Sequence, residues 1–126
     1  MLFRSEKKYY LTGYPNELGQ SILNITNNAK DALLLNNAKG IKDKHIIITL
    51  KEEAKYVCIT IEDNAGGIPL NILNTIFNKY FSTKGKEGTG LGLHISKTII
   101  ETHMNGKLSV YNNNEGACFE IILLKD

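Results

Sequence analysis

Cysteine is scarce in this chain, and long apolar runs are missing from it. Cys58 and Cys118 are the only two cysteines, and both lie in strand-like apolar runs. A disulfide framework or a metal site would need more ligands or an exported protein, so we expect two buried free thiols in a reducing cytoplasm. No apolar run approaches the ~20 residues that cross a bilayer, and residues 1–5 are too short for a signal peptide. We therefore expect no membrane contact by this domain.

An excess of charge of one sign is also missing. Fifteen Lys and Arg residues nearly balance 13 Asp and Glu, which leaves a formal net charge of +2, and the lysines are spread along the chain. This pattern argues against a nucleic-acid partner, which needs a basic stripe or patch. With 42% hydrophobic residues, 126 residues can bury roughly two thirds of their unfolded surface. We expect one domain, residues 1–126, that folds around its own core.

Periodic apolar residues predict a long first helix. Pro15 suits the first helical turn, and Glu17 suits the positive end of the helix dipole. From there apolar residues recur at spacings of four, three, four and three, which indicates one helix face running to about Leu35. These positions are Leu18, Ile22, Ile25, Ala29 and Ala32.

The remaining elements are predicted from the same periodicities. Alternating β-branched runs indicate strands, and apolar residues three and four apart indicate helices. The predicted order is a possible edge strand at 7–11, the first helix, strands at 46–51 and 56–62, a short helix at 69–77, a helix at 91–102, and strands at 107–111 and 117–124. Strand hairpins alternating with helices favour an α+β fold, with helices packed on one face of a mostly antiparallel sheet.

The first helix carries a second, polar stripe. Asn24, Asn28 and Asp31 are spaced four and three, and at about 100° per residue they lie beside the apolar face. Polar groups at the edge of a core face a crevice. Asparagine near a helix end can merely cap the helix or face solvent, but Asn24 and Asn28 are mid-helix, where asparagine is a mediocre helix former. We interpret the stripe as part of a binding site.

Two further stretches belong with this stripe. The second predicted strand runs into Asp63, and Gly66 and Gly67 follow. These glycines let a flat ligand approach the backbone, although a plain turn would also favour Asp and Gly. Residues 80–93 hold four glycines and two lysines, and they open onto the next predicted helix. We interpret residues 80–93 as a mobile phosphate-binding lid and expect residues 82–89 to be poorly ordered without a ligand.

Two common phosphate motifs do not fit this lid. A Walker A loop needs Ser or Thr after Gly-Lys, but Lys86 is followed by Glu87, and Lys107 by Leu108. A Rossmann fingerprint needs its glycines directly after a strand, whereas these glycines follow a predicted helix and a polar loop. A different kind of nucleotide pocket remains.

Four motifs in order give the chain a specific resemblance to a known family. Residues 24–32 resemble the N box, 63–68 the G1 box, 76–84 the F box and 88–93 the G2 box of the histidine-kinase catalytic and ATP-binding domain. The resemblance implies a Bergerat fold, shared with type II topoisomerases, ninety-kilodalton heat-shock chaperones and mismatch-repair ATPases. This fold is a two-layer α/β sandwich with a flexible ATP lid, in which about three helices cover one face of a mixed, mostly antiparallel sheet.

The resemblance also implies a nucleotide site, with ATP and Mg²⁺ as cofactors. Asp63 would accept a hydrogen bond from the adenine amino group, Gly67 and Ile68 would line the base pocket, and the Asn28 amide oxygen would bind Mg²⁺. No catalytic base is assigned. The complete predicted site is Asn24, Asn28, Asp31, Asp63, Gly67, Ile68, Tyr80, Phe81, Thr83, Lys84, Gly88, Thr89, Gly90, Leu91, Gly92 and Leu93, with Asn28 as the metal ligand.

Within the lid, the resemblance implies a division of labour. The backbone of residues 88–93 and the Thr89 side chain would hold the phosphates. Lys84, with Lys79 as a second candidate, would reach the β- or γ-phosphate. Phe81 would anchor the lid to the domain. Asp31 stands where many family members have a basic residue, so the lid lysines take over the phosphate role. Asn24 stands where the ATPase branches have a water-activating glutamate, so rapid hydrolysis is not expected.

The implied function is a protein histidine kinase of two-component signal transduction. It would donate the γ-phosphoryl group of ATP to a histidine on a separate dimerisation domain, with a response regulator downstream. His45, His94 and His103 are followed by apolar residues, whereas the family's acceptor histidine is followed by an acid. The chain thus resembles the catalytic part of a longer sensor kinase, either free in the cytoplasm or the cytoplasmic part of a membrane-bound sensor.

A second class of function stays open. This class is a nucleotide-binding interaction module, such as an anti-sigma-type kinase or a domain whose lid signals nucleotide state to a partner without phosphorylating a histidine. The F box with Lys84 favours the histidine kinase, since many relatives outside the sensor kinases lack that box.

Overall fold

The computed structural model describes residues 2–4, 14–34, 40–81 and 91–125. In chain order its elements are strand β1 (Leu2–Arg4), helix α1 (Pro15–Leu34), strands β2 (Ile46–Glu52) and β3 (Tyr56–Asp63), short helix α2 (Leu70–Leu73), helix α3 (Gly92–Lys97), a π-helical continuation of α3 (Thr98–His103), and strands β4 (Lys107–Asn112) and β5 (Ala117–Leu124). From α1 onward this order agrees with the predicted one, and α1 and β2 to β5 begin and end close to their predicted bounds. Helix α2 is shorter than predicted, since it ends at Leu73 and not at Phe77.

The five strands of the described residues form one sheet in the order β1-β2-β3-β5-β4. β1 pairs parallel with β2, and the other three pairings are antiparallel. The predicted mixed, mostly antiparallel sheet is therefore confirmed. The possible edge strand at 7–11 lies outside the described residues, and the short parallel strand β1 has no counterpart in the prediction.

Successive side chains of a strand point to opposite faces of the sheet, so every second residue lies on the buried face. Ile48, Ile61 and Phe119 are cross-strand neighbours, with exposed fractions of 8%, 0% and 1%. They share one core with Ile25 of α1 and Ile100 of the π-helical segment. The helices thus pack on this face, which confirms the two-layer α+β sandwich. Asp63, two residues beyond Ile61, falls on the same face at the end of β3.

Helix α1 joins the core through its predicted apolar stripe. Ile25, Ala29 and Leu33 are buried, and each large aliphatic side chain buried in this way contributes about 2 kcal/mol. Ser21 and Thr26 are buried too, and their hydroxyls donate to backbone oxygens four residues back, at 3.1 Å and 2.7 Å. These local bonds allow two polar side chains to lie beside the core without unpaired groups.

The last helix departs from the predicted single α-helix over 91–102. After Lys97 it widens into a π-helix, and the Met104 N–H donates to Ile99 O, five residues back, at 3.1 Å. The Gly106 N–H then donates to Ile100 O at 2.8 Å. A Cβ at Gly106 would lie 2.4 Å from Ile122 O, so the close approach of this helix end to β5 requires glycine.

Cys58 and Cys118 are free and buried, as predicted. By strand alternation they lie on the sheet face opposite the helices, since their neighbours Val57 and Phe119 belong to the core. Within the described ranges, no helix combines the length and apolarity that crossing a membrane requires.

Candidate functional site

Asp63 is the centre of a polar site at one end of the sheet. Its side chain is 5% exposed, and Oδ1 accepts hydrogen bonds from the N–H groups of Ala65 at 3.0 Å and Ala117 at 3.3 Å. Oδ2 makes no hydrogen bond with the described residues. The described residues contain no unpaired side-chain N or O atom that is fully buried, so Oδ2 is not completely buried. One carboxylate oxygen is therefore held by the protein, and the other can accept a bond from a ligand.

The turn between β4 and β5 holds this carboxylate in place. A Cβ at Gly116 would lie 2.1 Å from Asp63 O and 2.6 Å from Oδ1, so the turn packs directly against the end of β3. The Gly66 N–H donates to Glu115 O at 3.0 Å and ties the following residues to the same turn. Sequence reasoning missed Gly116, because a glycine in an Asn-rich turn is ordinary by itself.

The base loop, residues 64–69, is fixed by Asn112 at the end of β4. The Ile68 N–H donates to Asn112 Oδ1 at 2.8 Å, and Asn112 Nδ2 donates to Ile68 O at 2.8 Å. Gly67 has φ +91°, and a Cβ there would lie 3.0 Å from Asn112 Oδ1. Gly67 and Ile68, both predicted site residues, are therefore positioned by a side chain that sequence reasoning did not identify.

Asn64, the neighbour of Asp63, stabilises the fold through its side-chain amide. Its Oδ1 accepts from the His45 N–H at 2.9 Å, and its Nδ2 donates to Asp43 O at 2.8 Å. These bonds tie the end of β3 to the chain before β2. The two polar residues at the end of β3 thus differ in role. Asn64 stabilises the fold, while Asp63 keeps one oxygen free.

The polar stripe of α1 is divided in a similar way. Asn24 Nδ2 lies 3.3 Å from both Gly92 O and Ser96 Oγ, and its Oδ1 accepts from Gln20 at 2.8 Å. Asn24 therefore bridges α1 to the first turn of α3. Asn28, one turn further along, is half-buried, and its amide makes no hydrogen bond with the described residues. It is available to a ligand or a metal ion.

The structure describes both flanks of the predicted lid but not its middle. Before it, Tyr80 is 68% exposed with φ +67°, and Phe81 packs against the core. After it, Leu91 O accepts from the Ile95 N–H at 2.8 Å, and Leu93 packs against the core. The predicted site residues Thr83, Lys84, Gly88, Thr89 and Gly90, and the expected mobility of residues 82–89, lie outside the described residues.

Asp31, the last member of the predicted stripe, is half-buried on α1. The described residues bring together Asp63, Gly67 and Ile68 at the end of β3, and they bring Asn24 to Gly92 across the α1–α3 contact. The helices on one face of a mostly antiparallel sheet place the chain in the two-layer α/β-sandwich class.

Comparison with known proteins identifies the family. A sequence model described as "Histidine kinase-, DNA gyrase B-, and HSP90-like ATPase" matches residues 13–126. The chain belongs to this family, whose members bind ATP, and the predicted family resemblance is confirmed.

The similar proteins include sensor kinases of bacteria. The chain is 35% identical to the two-component sensor PprA of Pseudomonas aeruginosa over 118 residues, covering 93% of this chain and 13% of that protein. It is 38% identical to sporulation kinase A of Bacillus subtilis over 113 residues, covering 89% of this chain and 17% of that protein. The chain thus spans less than a fifth of the length of these two relatives.

A solved structure gives the same picture of the fold. The nucleotide-free catalytic domain of histidine kinase ThkA superposes with a TM-score of 0.82 at 27% identity, covering 98% of this chain and 78% of that chain.

Proposed function

We propose that this domain binds Mg²⁺–ATP between α1 and the end of β3, and donates the γ-phosphoryl group to a histidine on a separate dimerisation domain. The observation that carries the proposal is Asp63, a buried carboxylate with one oxygen fixed and one free. Membership of the ATPase family and similarity to sensor kinases support the reaction class.

Asp63 recognises the base in this proposal. Its free Oδ2 accepts a hydrogen bond from the exocyclic amino group of adenine, whereas guanine presents a carbonyl oxygen there and would leave the carboxylate unpaired. Gly67 and Ile68 line the pocket. The absence of a side chain at Gly67 keeps the backbone accessible to the flat ring.

Asn28 is the proposed protein ligand of Mg²⁺. Magnesium prefers oxygen ligands and retains several waters and phosphate oxygens, so a site with one amide oxygen suits it. The free, half-buried Asn28 amide fits this demand. The described residues contain no cluster of three or more His, Cys, Asp or Glu side chains that could hold a metal without the nucleotide.

The lid residues hold the phosphates. We assign this role to Thr89 and the backbone of residues 88–93, with Lys84 at the β- or γ-phosphate and Phe81 as the anchor. Packing of Phe81 and Leu93 against the core supports the two anchored ends. Tyr80, Thr83, Gly88, Gly90, Leu91 and Gly92 complete this part of the proposed site, and Asp31 lies at its α1 side.

Transfer is favoured over hydrolysis because Asn24, which stands at the position of the water-activating glutamate, supplies no general base. Its amide is a poor base, and it is already bonded to Gly92 and Ser96. The proposed acceptor is on a separate domain. Two histidines of this chain already have partners, since His103 contacts Glu17 at 2.9 Å and His45 contacts Asp43 O at 2.8 Å. The proposed partners are the dimerisation domain of the parent kinase and a response regulator, in the cytoplasm.

Phosphotransfer is the direct test. The domain is mixed with the dimerisation hairpin of its parent kinase and with γ-labelled ATP, and we expect an acid-labile, base-stable phosphoprotein. Asp63→Ala should raise the Kd of a fluorescent ATP analogue about tenfold to a hundredfold, because the free carboxylate oxygen is lost. Asp43→Ala, a change of an exposed carboxylate nearby, is the matched control and should bind normally. ATP binding without any transfer would instead support a nucleotide-dependent interaction module.

A further inference from the structure

We propose that Asn112 is a positioning residue that sets the selectivity of the site for adenine, by holding the base loop in one conformation. The inference rests on the proposed function, since it concerns the loop that lines the base pocket. Asn112 itself does not have to touch the nucleotide. It acts through Ile68 and Gly67.

The contact has the form of a two-point clamp. The Asn112 amide pairs with both backbone groups of Ile68, at 2.8 Å each, as a neighbouring strand would. Asn112 lies on the same sheet face as its partner Ala117, whose N–H in turn donates to Asp63. The clamp therefore joins the base loop to the strand pair that holds the base-recognising carboxylate.

The base loop depends on such external bonds. It contains no helix or strand, and Gly66 and Gly67 have φ values of +95° and +91°, in a region that glycine adopts more readily than other residues. Within the described residues, its backbone bonds to residues outside the loop are Ala65 N–H to Asp63 Oδ1, Gly66 N–H to Glu115 O, Ile72 N–H to Pro69 O and the two bonds between Ile68 and Asn112. Without Asn112, Ile68 loses both partners, while Asp63 keeps its bonds to Ala65 and Ala117.

Because Asp63 and Ile68 are held by different bonds, loss of Asn112 should affect only one part of the site. The carboxylate stays in place, so adenine still meets an acceptor, but the wall that positions the ring is free to move. Affinity for the base should fall, and the phosphate contacts should not change. A brace with a purely structural role would instead weaken all ligands by the same factor.

The experiment measures the Kd values of Mg²⁺–ATP, Mg²⁺–GTP and Mg²⁺–tripolyphosphate by calorimetry. Asn112→Ala removes both clamp bonds. Asn112→Asp keeps the acceptor but places a carboxylate oxygen against Ile68 O, and it provides a second variant of nearly the same size. Asn114→Ala is the matched control, since Asn114 lies in the turn directly after β4, is exposed and makes no hydrogen bond with the described residues.

We expect both Asn112 variants to weaken ATP binding about tenfold and thereby to lower the ratio of the GTP Kd to the ATP Kd. The Kd of tripolyphosphate should not change. Asn114→Ala should match the wild type. An unchanged ratio in folded Asn112 variants, or an equal loss for all three ligands, would overturn the inference. A wild-type protein that does not prefer ATP over GTP would instead refute the proposed adenine recognition, so the two failures are distinguishable.

Discussion

Asp63, Asn64, Asn24 and Asn28 show how similar polar side chains are divided between fold and ligand. The side-chain amides of Asn64 and Asn24 are hydrogen-bonded to partners from other parts of the chain. Asp63 keeps one free oxygen, and Asn28 makes no bond with the described residues. A polar side chain that folding leaves partly buried but unpaired is a better candidate for ligand contact than one that is already paired.

Asn28 offers a test at the scale of one residue. Asn28→Ala should remove most of the Mg²⁺ dependence of ATP binding, because the proposed oxygen ligand is lost. The melting temperature should not fall, since no hydrogen bond to a described residue is broken and Ala is the better helix former. Titration with a fluorescent ATP analogue, with and without Mg²⁺, measures the effect. Asn27→Ala, a change at the exposed neighbour, serves as control, and an unchanged Mg²⁺ dependence would refute the assignment of Asn28.

At the scale of elements, Lys97 connects the two flanks of the predicted lid. Its Nζ lies 4.8 Å from the ring centroid of Phe77, which precedes the lid, and 3.3 Å from both Leu108 O and Glu101 Oε2. Glu101 Oε2 in turn accepts from the Leu108 N–H at 3.1 Å. Together these two side chains satisfy the outer backbone groups of Leu108 on edge strand β4.

Lys97→Met should therefore destabilise the domain by about 1 to 2 kcal/mol, since it keeps the aliphatic stem but removes a cation–π contact and a hydrogen bond to a backbone carbonyl. Urea unfolding measures the change. Lys107→Met, at an exposed lysine of β4 whose side chain makes no hydrogen bond or ion pair with the described residues, should change stability by less than about 0.5 kcal/mol. Equal effects of the two substitutions would contradict this role of Lys97.

At the scale of the whole molecule, the sheet face opposite the helices contains groups that resist ionisation. Burial, followed by the nearby Glu120 carboxylate, raises the pKa of the Cys58 thiol from its ordinary 9.0 to about 11. Burial also raises the pKa of Cys118, and a hydrogen bond to Cys118 raises that of Tyr111. Both cysteines are thus poor nucleophiles at neutral pH.

These shifts predict a loss of stability at high pH. The unfolded Cys58 thiol ionises near pH 9.0, but the folded one keeps its proton to about pH 11. Its contribution, on the order of 2 kcal/mol, is therefore complete below pH 9 and is lost as the pH rises towards 11. Urea unfolding of the wild type and of Cys58→Ala from pH 7 to 10.5 tests this. The wild type should lose more stability than the variant above pH 9, and parallel profiles would show that Cys58 has no such role.

Much of the fold could be predicted from local patterns. The apolar spacing of α1, the alternation of β2 and β3 and the turns that bound them depend on residues a few positions apart, and each element forms close to its predicted range. The π-helical end of the last helix and the short parallel strand β1 were not predicted. Both depend on contacts with other elements, the first on the approach of Gly106 to β5 and the second on pairing with β2.

The sequence by itself determined the candidate chemistry: a carboxylate at a strand end, an asparagine stripe on a helix, a glycine-rich segment, and the four motifs that identify the family. Only the tertiary structure decided which of these groups are free and what holds them. The contacts of Asn112 with Ile68 and of Ala117 with Asp63 join residues 44 and 54 positions apart. Such contacts leave no periodic signal in the sequence, because they arise only when the register of β3, β4 and β5 brings one end of each strand together.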